Sequence, residues 1–434
     1  MKNWELELEQ KIVTCDEAVR LVKDGDRVHI GYCSSVAYKL AEALAMRREE
    51  LHNVVILSGL LNRPLSCFGA DSVGHISNVS FFVGSTERTG IRNGVTDFTS
   101  LHLSQSPYWV RHTARPNVAF LEVSAPDDEG YMSYGASGVG FHEAVKEYAD
   151  TIILQINKNA PYVFGEHNKI HISEATAVVF SDDDVLAIPE VLDDTSREIA
   201  KLVVDQVPDG ATIQLGIGAV SNAVGYALAC KNDLGVHTEM YTDSMMQLQK
   251  DGVITNRCKS LLPGKSVTAF ALGSKGLYEY VHRNEELYFC PFSYVNDPAV
   301  IGQNDRMISI NTAMAMDLYG QVAADSIGLK QQSAVGGQLD YVRGAQRAKD
   351  GKSIIAMPST IGAGEKRSSR IMLQFPPGTA ITTPRSDVQY VATEYGCVNI
   401  RELPMRERIR AMISLAHPDY RNELEAQAKE YRLI

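Results

Sequence analysis

The sequence contains an internal repeat that constrains its fold more than any other feature. The segment DGDRVHIGYCSSVAYKLAEAL (24–44) reappears as DGATIQLGIGAVSNAVGYAL (209–228), with Gly31 matching Gly216 at one offset. Each copy reads as a turn, a strand, a glycine and a helix. Because each copy can start a β-strand and helix unit, the chain is predicted to hold two similar α/β halves.

Short aliphatic runs alternate with helical patterns along both halves. This alternation favours an α/β fold with largely parallel sheets. The acidic, proline-containing stretch SDDDVLAIPEVLDDTS (181–196) is predicted to join the halves. A helix is predicted within 34–51, and strands are predicted at VVIL (54–57), VAFLEV (118–123), TIILQI (151–156) and SIIAM (353–357).

Composition and charge exclude several functional classes. The chain has 434 residues, of which 44% are hydrophobic, and no apolar run approaches the roughly 18 residues of a membrane span, so no membrane partner is expected. The net charge of −11 disfavours nucleic acid as a partner. The N-terminal stretch MKNWELELEQKIV carries charges in place of the apolar segment of a signal peptide, so a cytoplasmic protein is expected.

The cysteines and histidines do not form the pattern of a metal site. Seven cysteines are scattered and never form a C-x-x-C pair, which predicts reduced, mostly buried thiols. His167 and His171 lie four residues apart, but the surrounding segment is not helical and no HExxH motif is present. Structural histidines are therefore favoured, and no metal is expected.

Two glycine-rich stretches could bind a ligand or form tight turns. In QLGIGAV (214–220) a strand ends in glycines and a helix follows, which would expose backbone N–H groups to an anion. It lacks the third glycine of a dinucleotide fingerprint, so a structural turn is an equal alternative. In SAVGGQLDYVRGA (333–345), Gly336 and Gly337 precede Gln338, whose amide can donate or accept a hydrogen bond.

The C-terminal stretch has helical spacing of its apolar residues. Pro404 stands near a predicted start, and the His-Pro pair at 417–418 is a predicted stop. A packing helix is therefore predicted over 404–416. Together with a net charge far from zero, this helix favours a soluble homo-oligomer, and a homodimer is expected because two-fold dimers are the commonest oligomers.

The segment GVHTEMYTDSMMQL (235–248) places one carboxylate, Glu239, among valine and methionine side chains. Strand alternation puts it on one face with His237 and Tyr241, and an exposed glutamate near a strand end is the simpler interpretation. A reactive carboxylate would need partial desolvation beside an activated acyl group and an oxyanion site opposite. The spacing alone leaves both interpretations open.

Seven blocks spread over almost the whole chain resemble the acetyl-CoA hydrolase/transferase branch of the family I coenzyme A transferases. They stand in the family's order, so the set is far more specific than any single block. The blocks are IQLGIGA (213–219), GVHTEM (235–240), FALGSK (270–275), SAVGGQLDYVRGA (333–345), IIAMPS (354–359), TTPRSDVQYVATEYG (382–396) and MISLAHPD (412–419).

The resemblance implies two similar open α/β CoA-transferase (NagB/RpiA-like) domains in tandem, with the active site at their interface. The predicted domains are 1–187, on the acyl and carboxylate side, and 188–434, with the catalytic glutamate and CoA binding. The implied reaction moves CoA between a short-chain acyl-CoA and a free carboxylic acid by ping-pong kinetics through a glutamyl-CoA thioester. CoA thioester is then a substrate, and no separate cofactor is expected.

The resemblance also implies site residues. The active-site glutamate of the H-[ST]-E-M block falls on Glu239, which becomes the predicted nucleophile. Gly336 and Gln338 are candidates for orienting the acyl carboxylate or the oxyanion. Many relatives carry a lysine in the loop after MPS, whereas the basic residues of TIGAGEKRSSR (360–370) lie further along. The implied CoA-binding residues are Gly216, Ile217, Gly218, Ala219, Val220, Met314, Gly337 and Gly362.

Several functions remain open at the level of the sequence. The blocks TEMYTDS and GGQLDY look more like butyryl-CoA:acetate CoA-transferases, which favours butyryl-CoA or acetyl-CoA with acetate. A 4-hydroxybutyrate CoA-transferase, or one for another short acid, is the second interpretation. An acetyl-CoA hydrolase would use the same Glu239 and let water intercept an intermediate. A non-catalytic ligand sensor is the least favoured, since no helix-turn-helix or basic output segment is evident.

Overall fold

The structure of the protein, a computed structural model, describes residues 2–188 and 190–434. Within these ranges, no helix combines the length and the apolar character needed to cross a membrane. The chain groups into two compact units. Unit 1 comprises residues 1–188, 239–243 and 267–295, and unit 2 comprises residues 189–238, 244–266 and 296–434.

Short helices and strands alternate along residues 2–188. The helices are α1 (Asn3–Lys11), α2 (Cys15–Val19), α3 (Tyr38–Met46), α4 (Ser85–Arg92), α5 (Ser106–Trp109), α6 (Gly135–Gly138) and α7 (His142–Lys146). The strands are β1 (Arg27–Tyr32), β2 (Val54–Gly59), β3 (Ile76–Ser80), β4 (Thr96–Phe98), β5 (Val118–Val123), β6 (Tyr131–Ser133), β7 (Thr151–Asn157), β8 (Lys169–His171) and β9 (Ala177–Ser181).

The same alternation continues through residues 190–434. The helices are α8 (Asp194–Val204), α9 (Ala219–Ala227), α10 (Asp243–Lys250), α11 (Lys275–Val281), α12 (Phe292–Val295), α13 (Pro298–Ile301), α14 (Gln338–Arg347), α15 (Met405–Leu415) and α16 (Pro418–Glu430). The strands are β10 (Thr212–Leu215), β11 (Gly235–Tyr241), β12 (Ser266–Ala271), β13 (Leu287–Phe289), β14 (Met307–Thr312), β15 (Ala315–Asp317), β16 (Val322–Ala323), β17 (Ser326–Ile327), β18 (Lys330–Gln331), β19 (Lys352–Ala356), β20 (Thr360–Ile361), β21 (Ser368–Ser369), β22 (Ile371–Met372), β23 (Tyr390–Thr393) and β24 (Gly396–Asn399).

Unit 1 is built on a seven-stranded sheet with the order β4-β3-β2-β1-β5-β7-β9. Every neighbouring pair in this sheet is parallel. The runs predicted at 54–57, 118–123 and 151–156 form β2, β5 and β7. The chain order reverses between β1 and β5, and ligands of open parallel sheets bind outside the carboxyl ends of the strands at such a point.

Unit 2 contains a second parallel sheet with the same central arrangement. Six strands of this eight-stranded sheet run in the order β11-β10-β14-β19-β23-β24, and among these six only β24 is antiparallel to its neighbour. The second copy of the repeat supplies the central strand β10, as the first copy supplies β1. Both copies begin with the same turn, in which Gly25 donates to the carbonyl of His52 at 3.0 Å and Gly210 donates to that of Asn232 at 2.8 Å. The two predicted α/β halves are therefore confirmed.

The helix predicted within 34–51 is shorter in the structure and packs into the core of unit 1. Helix α3 buries Leu40 and Leu44 against the sheet, but it begins only at Tyr38. The preceding residues form a turn, because the backbone of Cys33 is left-handed, with φ +56°, and the N–H of Ser35 donates to the carbonyl of Tyr32 at 3.0 Å. The helix predicted within 34–51 therefore covers Tyr38–Met46.

The C-terminal stretch forms two helices where one was predicted. Helix α15 covers most of the predicted span 404–416 and packs Ile409 and Met412 into the core of unit 2. The His-Pro pair ends α15 and also begins α16, because His417 is the N-cap residue and its ring accepts from the N–H of Asp419 at 3.2 Å. The stop signal is therefore also a start signal.

Candidate active site

Glu239 lies near the carboxyl end of strand β11 and is the only one of its seven residues that is not buried. The face that alternation assigned to solvent is buried at His237 and Tyr241, so the glutamate is half-buried and does not stand on an exposed strand end. The hydroxyl of Thr268, in β12, donates to the backbone carbonyl of Glu239 at 3.1 Å, which ties this end of β11 to β12.

Two buried groups of unit 1 lie close enough to respond to the charge of Glu239. The ring of Tyr32 stacks on Phe141 with centroids 5.0 Å apart. Burial raises the pKa of the Tyr32 hydroxyl well above its usual value, and the nearby Cys33 and Glu239 raise it further. Burial also raises the pKa of the Cys33 thiol to about 12, again with a contribution from Glu239. The carboxylate therefore lies near groups that stay neutral, which is partial desolvation of the kind a nucleophile needs.

The carboxyl ends of β1 and β2 carry strained backbone that sequence reasoning missed. Cys33 and Leu60, which directly follow these two strands, have φ of +56° and +47°. A residue other than glycine rarely adopts this region, and such strain clusters at functional sites. The internal repeat held the signal, since Cys33 matches Gly218 at the offset that matches Gly31 to Gly216.

The acidic residue that follows the glutamate block organises the FALGSK block. Asp243 accepts a hydrogen bond from the N–H of Ser274 at 2.8 Å and another from its hydroxyl. A Cβ on Gly273 would lie 2.1 Å from Asp243 Oδ2, so a larger residue there would displace this carboxylate. The hydroxyl of Ser274 in turn caps helix α11. These contacts explain why the two blocks carry these residue types.

The first glycine loop lies at the carboxyl end of β10 in unit 2. Gly216 donates to the carbonyl of Ile310 at 2.8 Å. Gly218 has φ +120° and ψ 174°, a conformation that is essentially confined to glycine. Helix α9 then begins at Ala219, and no side chain caps it. The first N–H groups of α9, including that of Val220, are therefore suited to an anionic ligand.

The second glycine loop begins helix α14 of unit 2. Gly336 has φ +60°, and Gly337 is the N-cap residue of α14 without a side-chain cap. The amide of Gln338 is already bonded, because its Nε2 donates to the carbonyl of Thr312 at 2.8 Å and its Oε1 accepts from the hydroxyl of Thr383 at 2.9 Å. One N–H of this amide remains for another acceptor.

The other residues implied for CoA binding lie in neighbouring segments of unit 2. Met314 is half-buried and donates to the carbonyl of Ala323 at 2.9 Å. Gly362, with φ +81°, turns the exposed hairpin of β20 and β21. Of the basic residues in that hairpin, Arg367 is paired with Asp419, while Lys366 is exposed. Arg367 would therefore have to leave its ion pair with Asp419 before it could bind a phosphate.

The structure assigns the candidate residues to two groups. Gly216–Val220, Met314 and Gln338 gather around the carboxyl end of β14 in unit 2, since β10 pairs with β14 and Gln338 bonds to its last residue. Glu239 belongs to unit 1, because residues 235–238 of β11 are part of unit 2 and residues 239–243 are part of unit 1. Of the histidines, His171 lies in β8 and bonds to Ser173 and to the carbonyl of Glu129. Over residues 2–188 and 190–434, no three histidine, cysteine or acidic side chains are grouped as metal ligands.

The thiols are less uniformly buried than predicted. Cys33, Cys67 and Cys290 are buried, whereas Cys230 and Cys258 are exposed. The remaining two are half-buried. The prediction that most thiols are buried is therefore only partly correct.

Two family models match the chain in sequence. The acetyl-CoA hydrolase/transferase N-terminal domain matches residues 1–190, and the C-terminal domain matches residues 273–428. Butyryl-CoA:acetate CoA-transferase of Anaerostipes caccae is 37% identical over 98% of both chains. The 4-hydroxybutyrate coenzyme A transferase of Clostridium kluyveri is also 37% identical, over 98% of this chain and 99% of that protein.

Solved structures of similar proteins share the fold over the full length. RipA from Yersinia pestis superimposes with a TM-score of 0.95 at 34% identity and full coverage of both chains. A 4-hydroxybutyrate CoA-transferase from Porphyromonas gingivalis gives a TM-score of 0.84 at 33% identity, covering 99% of this chain and all of the other. The chain therefore belongs to the acetyl-CoA hydrolase/transferase family, and it is an enzyme of that family's CoA-transferase type.

Proposed function

We propose that this enzyme transfers CoA between butyryl-CoA or acetyl-CoA and acetate through a glutamyl-CoA thioester on Glu239. One observation carries the proposal: in a strand that is otherwise buried, a single half-exposed carboxylate lies near a buried, neutral tyrosine and cysteine. A carboxylate that is partly removed from water attacks a carbonyl carbon more readily than a solvated one. The related butyryl-CoA:acetate CoA-transferase supports the choice of substrates.

The chemistry proceeds in balanced steps. Glu239 attacks the thioester carbonyl, and the tetrahedral oxyanion collapses to an acyl-glutamyl anhydride with release of CoA thiolate. The thiolate then attacks the glutamyl carbonyl, which forms the glutamyl-CoA thioester and releases the first carboxylate. A second carboxylate enters, and the same steps run in reverse. No water is consumed and no thioester energy is lost, so ping-pong kinetics are expected.

The glycine loops of unit 2 are the proposed binding elements for CoA. The uncapped starts of α9 at Ala219 and α14 at Gln338 offer N–H groups to the anionic parts of the substrate. Gly336 and the remaining N–H of Gln338 are the proposed donors to the oxyanion or to the acyl carboxylate. Binding of the long CoA moiety can offset the cost of distorting the reacting thioester.

A variant series at Glu239 tests the nucleophile. Glu239→Ala should lose transfer by several orders of magnitude, because no covalent intermediate can form. Glu239→Asp should also be severely impaired, since its carboxylate is retracted by one methylene. The matched control is Glu279→Ala, which removes an exposed carboxylate of α11 in the same unit. Near-normal transfer by Glu239→Ala, with Glu279→Ala also normal, would refute the proposal.

An acceptor panel tests the substrates. Acetyl-CoA and butyryl-CoA are each incubated with acetate, propionate, butyrate, 4-hydroxybutyrate and itaconate, and the CoA products are identified by mass. We expect butyryl-CoA and acetate to give the highest kcat/KM. 4-Hydroxybutyrate is the second candidate, because the relative named for that acid is equally identical. Release of free thiol without any acceptor would instead indicate a hydrolase.

We further propose that the protein is a cytoplasmic homodimer. The support is the net charge of −11 and the general preference of soluble proteins for closed two-fold assemblies. Light scattering at micromolar concentration should give twice the chain mass of 47.7 kDa. A monomer under these conditions would contradict the assembly but not the chemistry.

A further inference from the structure

A continuous chain of hydrogen bonds runs through unit 2 to the first glycine loop. The hydroxyl of Thr383 donates to Gln338 Oε1 at 2.9 Å, and Gln338 Nε2 donates to the carbonyl of Thr312 at 2.8 Å. The hydroxyl of Thr312 then donates to the carbonyl of Ile217 at 3.2 Å. We name these four residues the amide relay. They come from four segments that are distant in the sequence.

The relay meets both helix starts that lack a side-chain cap at the glycine loops. Gln338 is itself the first residue of α14, and Ile217 lies two residues before α9 begins at Ala219. Thr312 is the last residue of β14. The relay therefore fixes two sets of N–H groups to one strand end.

The geometry assigns each member a defined role. The carbonyl of Thr312 can only accept, so it orients Nε2 of Gln338 and leaves Oε1 to the hydroxyl of Thr383. Thr383 is fully buried, and its backbone is held separately by Val322, whose N–H donates to the Thr383 carbonyl at 3.1 Å. The two threonine hydroxyls can therefore be removed without breaking the pairing of β14 with β19 or the backbone bond between Thr383 and Val322.

The glycine loop has one further anchor that the relay does not include. The N–H of Gly216 donates to the carbonyl of Ile310 at 2.8 Å. Loss of the relay should therefore loosen the segment from Ile217 to the start of α9, while the base of the loop stays attached to β14. A specific effect on ligand binding is expected, not unfolding.

We propose that Thr312 and Thr383 are positioning residues that hold the CoA-binding loop through Ile217 and Gln338. This inference rests on the proposed CoA-transferase function. The hydroxyls themselves need not touch the substrate. Their contribution is to preorganise the uncapped N–H groups, which reduces the ordering cost that CoA would otherwise meet on binding.

The test uses two valine variants, two serine variants and one matched control in the full-length enzyme. Thr312→Val and Thr383→Val remove the hydroxyls at nearly constant shape, and Thr312→Ser and Thr383→Ser restore them. Thr393→Val is the control, because Thr393 is also buried in unit 2 and its hydroxyl donates to the carbonyl of Leu415 at 2.8 Å. For each variant, the Kd for free CoA, the KM for acetate and amide exchange of residues 216–222 are measured.

Each valine variant should weaken CoA binding by about fivefold, the factor that corresponds to one neutral hydrogen bond of about 1 kcal/mol. Exchange of residues 216–222 should accelerate. In Thr312→Val, which leaves both hydrogen bonds of the Gln338 amide in place, the KM for acetate should stay unchanged. The serine variants and Thr393→Val should bind CoA as the wild type does. In the double variant Thr312→Val/Thr383→Val, the loss should be smaller than the sum, because both hydroxyls belong to one connected chain of hydrogen bonds.

The results separate the relay from the proposed function. Wild-type affinity for CoA in either valine variant would overturn the relay, and so would equal weakening by Thr393→Val. If the wild type itself neither binds CoA nor transfers it, the proposed function fails. In that case the exchange data decide alone, and an unchanged rate at 216–222 in Thr312→Val overturns the relay as well.

Discussion

Glu122 should make the stability of unit 1 depend on pH in a direction opposite to that of most carboxylates. It lies on β5, is only 6% exposed, and accepts from Gln155 Nε2 at 2.9 Å. Burial raises the pKa of this carboxyl from 4.5 to about 8, and the charge of Asp183 adds to the shift, although hydrogen bonds from Asn157 and Gln155 oppose it. The folded state therefore keeps a proton that the unfolded chain loses.

The sign and size follow from proton linkage. Between pH 4.5 and pH 8, the unfolded state binds fewer protons at Glu122 than the folded state. The contribution of the protonated Glu122 to stability is complete below pH 4.5 and is lost as the pH rises towards 8. Each pH unit within this window lowers the free energy of unfolding by about 1.4 kcal/mol. Raising the pH from about 5 to about 7 should therefore lower it by about 3 kcal/mol.

Glu122→Gln removes this dependence because the amide does not titrate. Urea unfolding is followed by tryptophan fluorescence, which reports on this unit alone, since both tryptophans, Trp4 and Trp109, lie in residues 1–188. The difference in the free energy of unfolding between Glu122→Gln and the wild type should shift by about 3 kcal/mol in favour of the variant between pH 5 and pH 7. The control Glu49→Gln, an exposed carboxyl in the same unit, should gain almost nothing. A constant difference between Glu122→Gln and the wild type over this range would refute the reasoning.

Two further substitutions test unit 2. Arg408, buried in α15, donates to four backbone carbonyls. Arg408→Met should therefore lower the free energy of unfolding, measured by circular dichroism, by at least about 3 kcal/mol. In the same measurement, Arg410→Met, at an exposed position of the same helix, should change it little. Gly218→Ala forces alanine to φ +120° and should weaken CoA binding by roughly tenfold or more in a titration. Gly252→Ala, also at positive φ with no atom within 4 Å, should bind CoA normally.

Local patterns predicted the parts of this protein that depend on local sequence. The repeat identified β1 and β10 as equivalent central strands, and aliphatic runs located β2, β5, β7 and β19. Alternation located β11 around Glu239, but it could not show that both faces of that strand are covered. Burial depends on what packs against a strand, and a period of two residues does not contain that information.

Contacts between segments that are distant in the sequence could not be predicted from it. The bond from Gln338 to Thr312, and the pairing of Arg367 with Asp419, each join residues whose proximity only the folded chain creates. The left-handed backbone at Cys33 was missed because glycine is the usual signal for that conformation. The repeat offered the missing clue by placing Cys33 opposite Gly218.

The central claim is that Glu239 carries CoA during turnover, and trapping the intermediate tests it most directly. The wild type, Glu239→Ala and Glu279→Ala are incubated with butyryl-CoA and then treated with borohydride, which reduces a glutamyl thioester to an alcohol. The account predicts inactivation of the wild type and of Glu279→Ala, with the mass change mapped to Glu239 in the peptide GVHTEMYTDSMM. A mass change on another carboxylate, or an unmodified Glu239 in an enzyme that still transfers CoA, would contradict it.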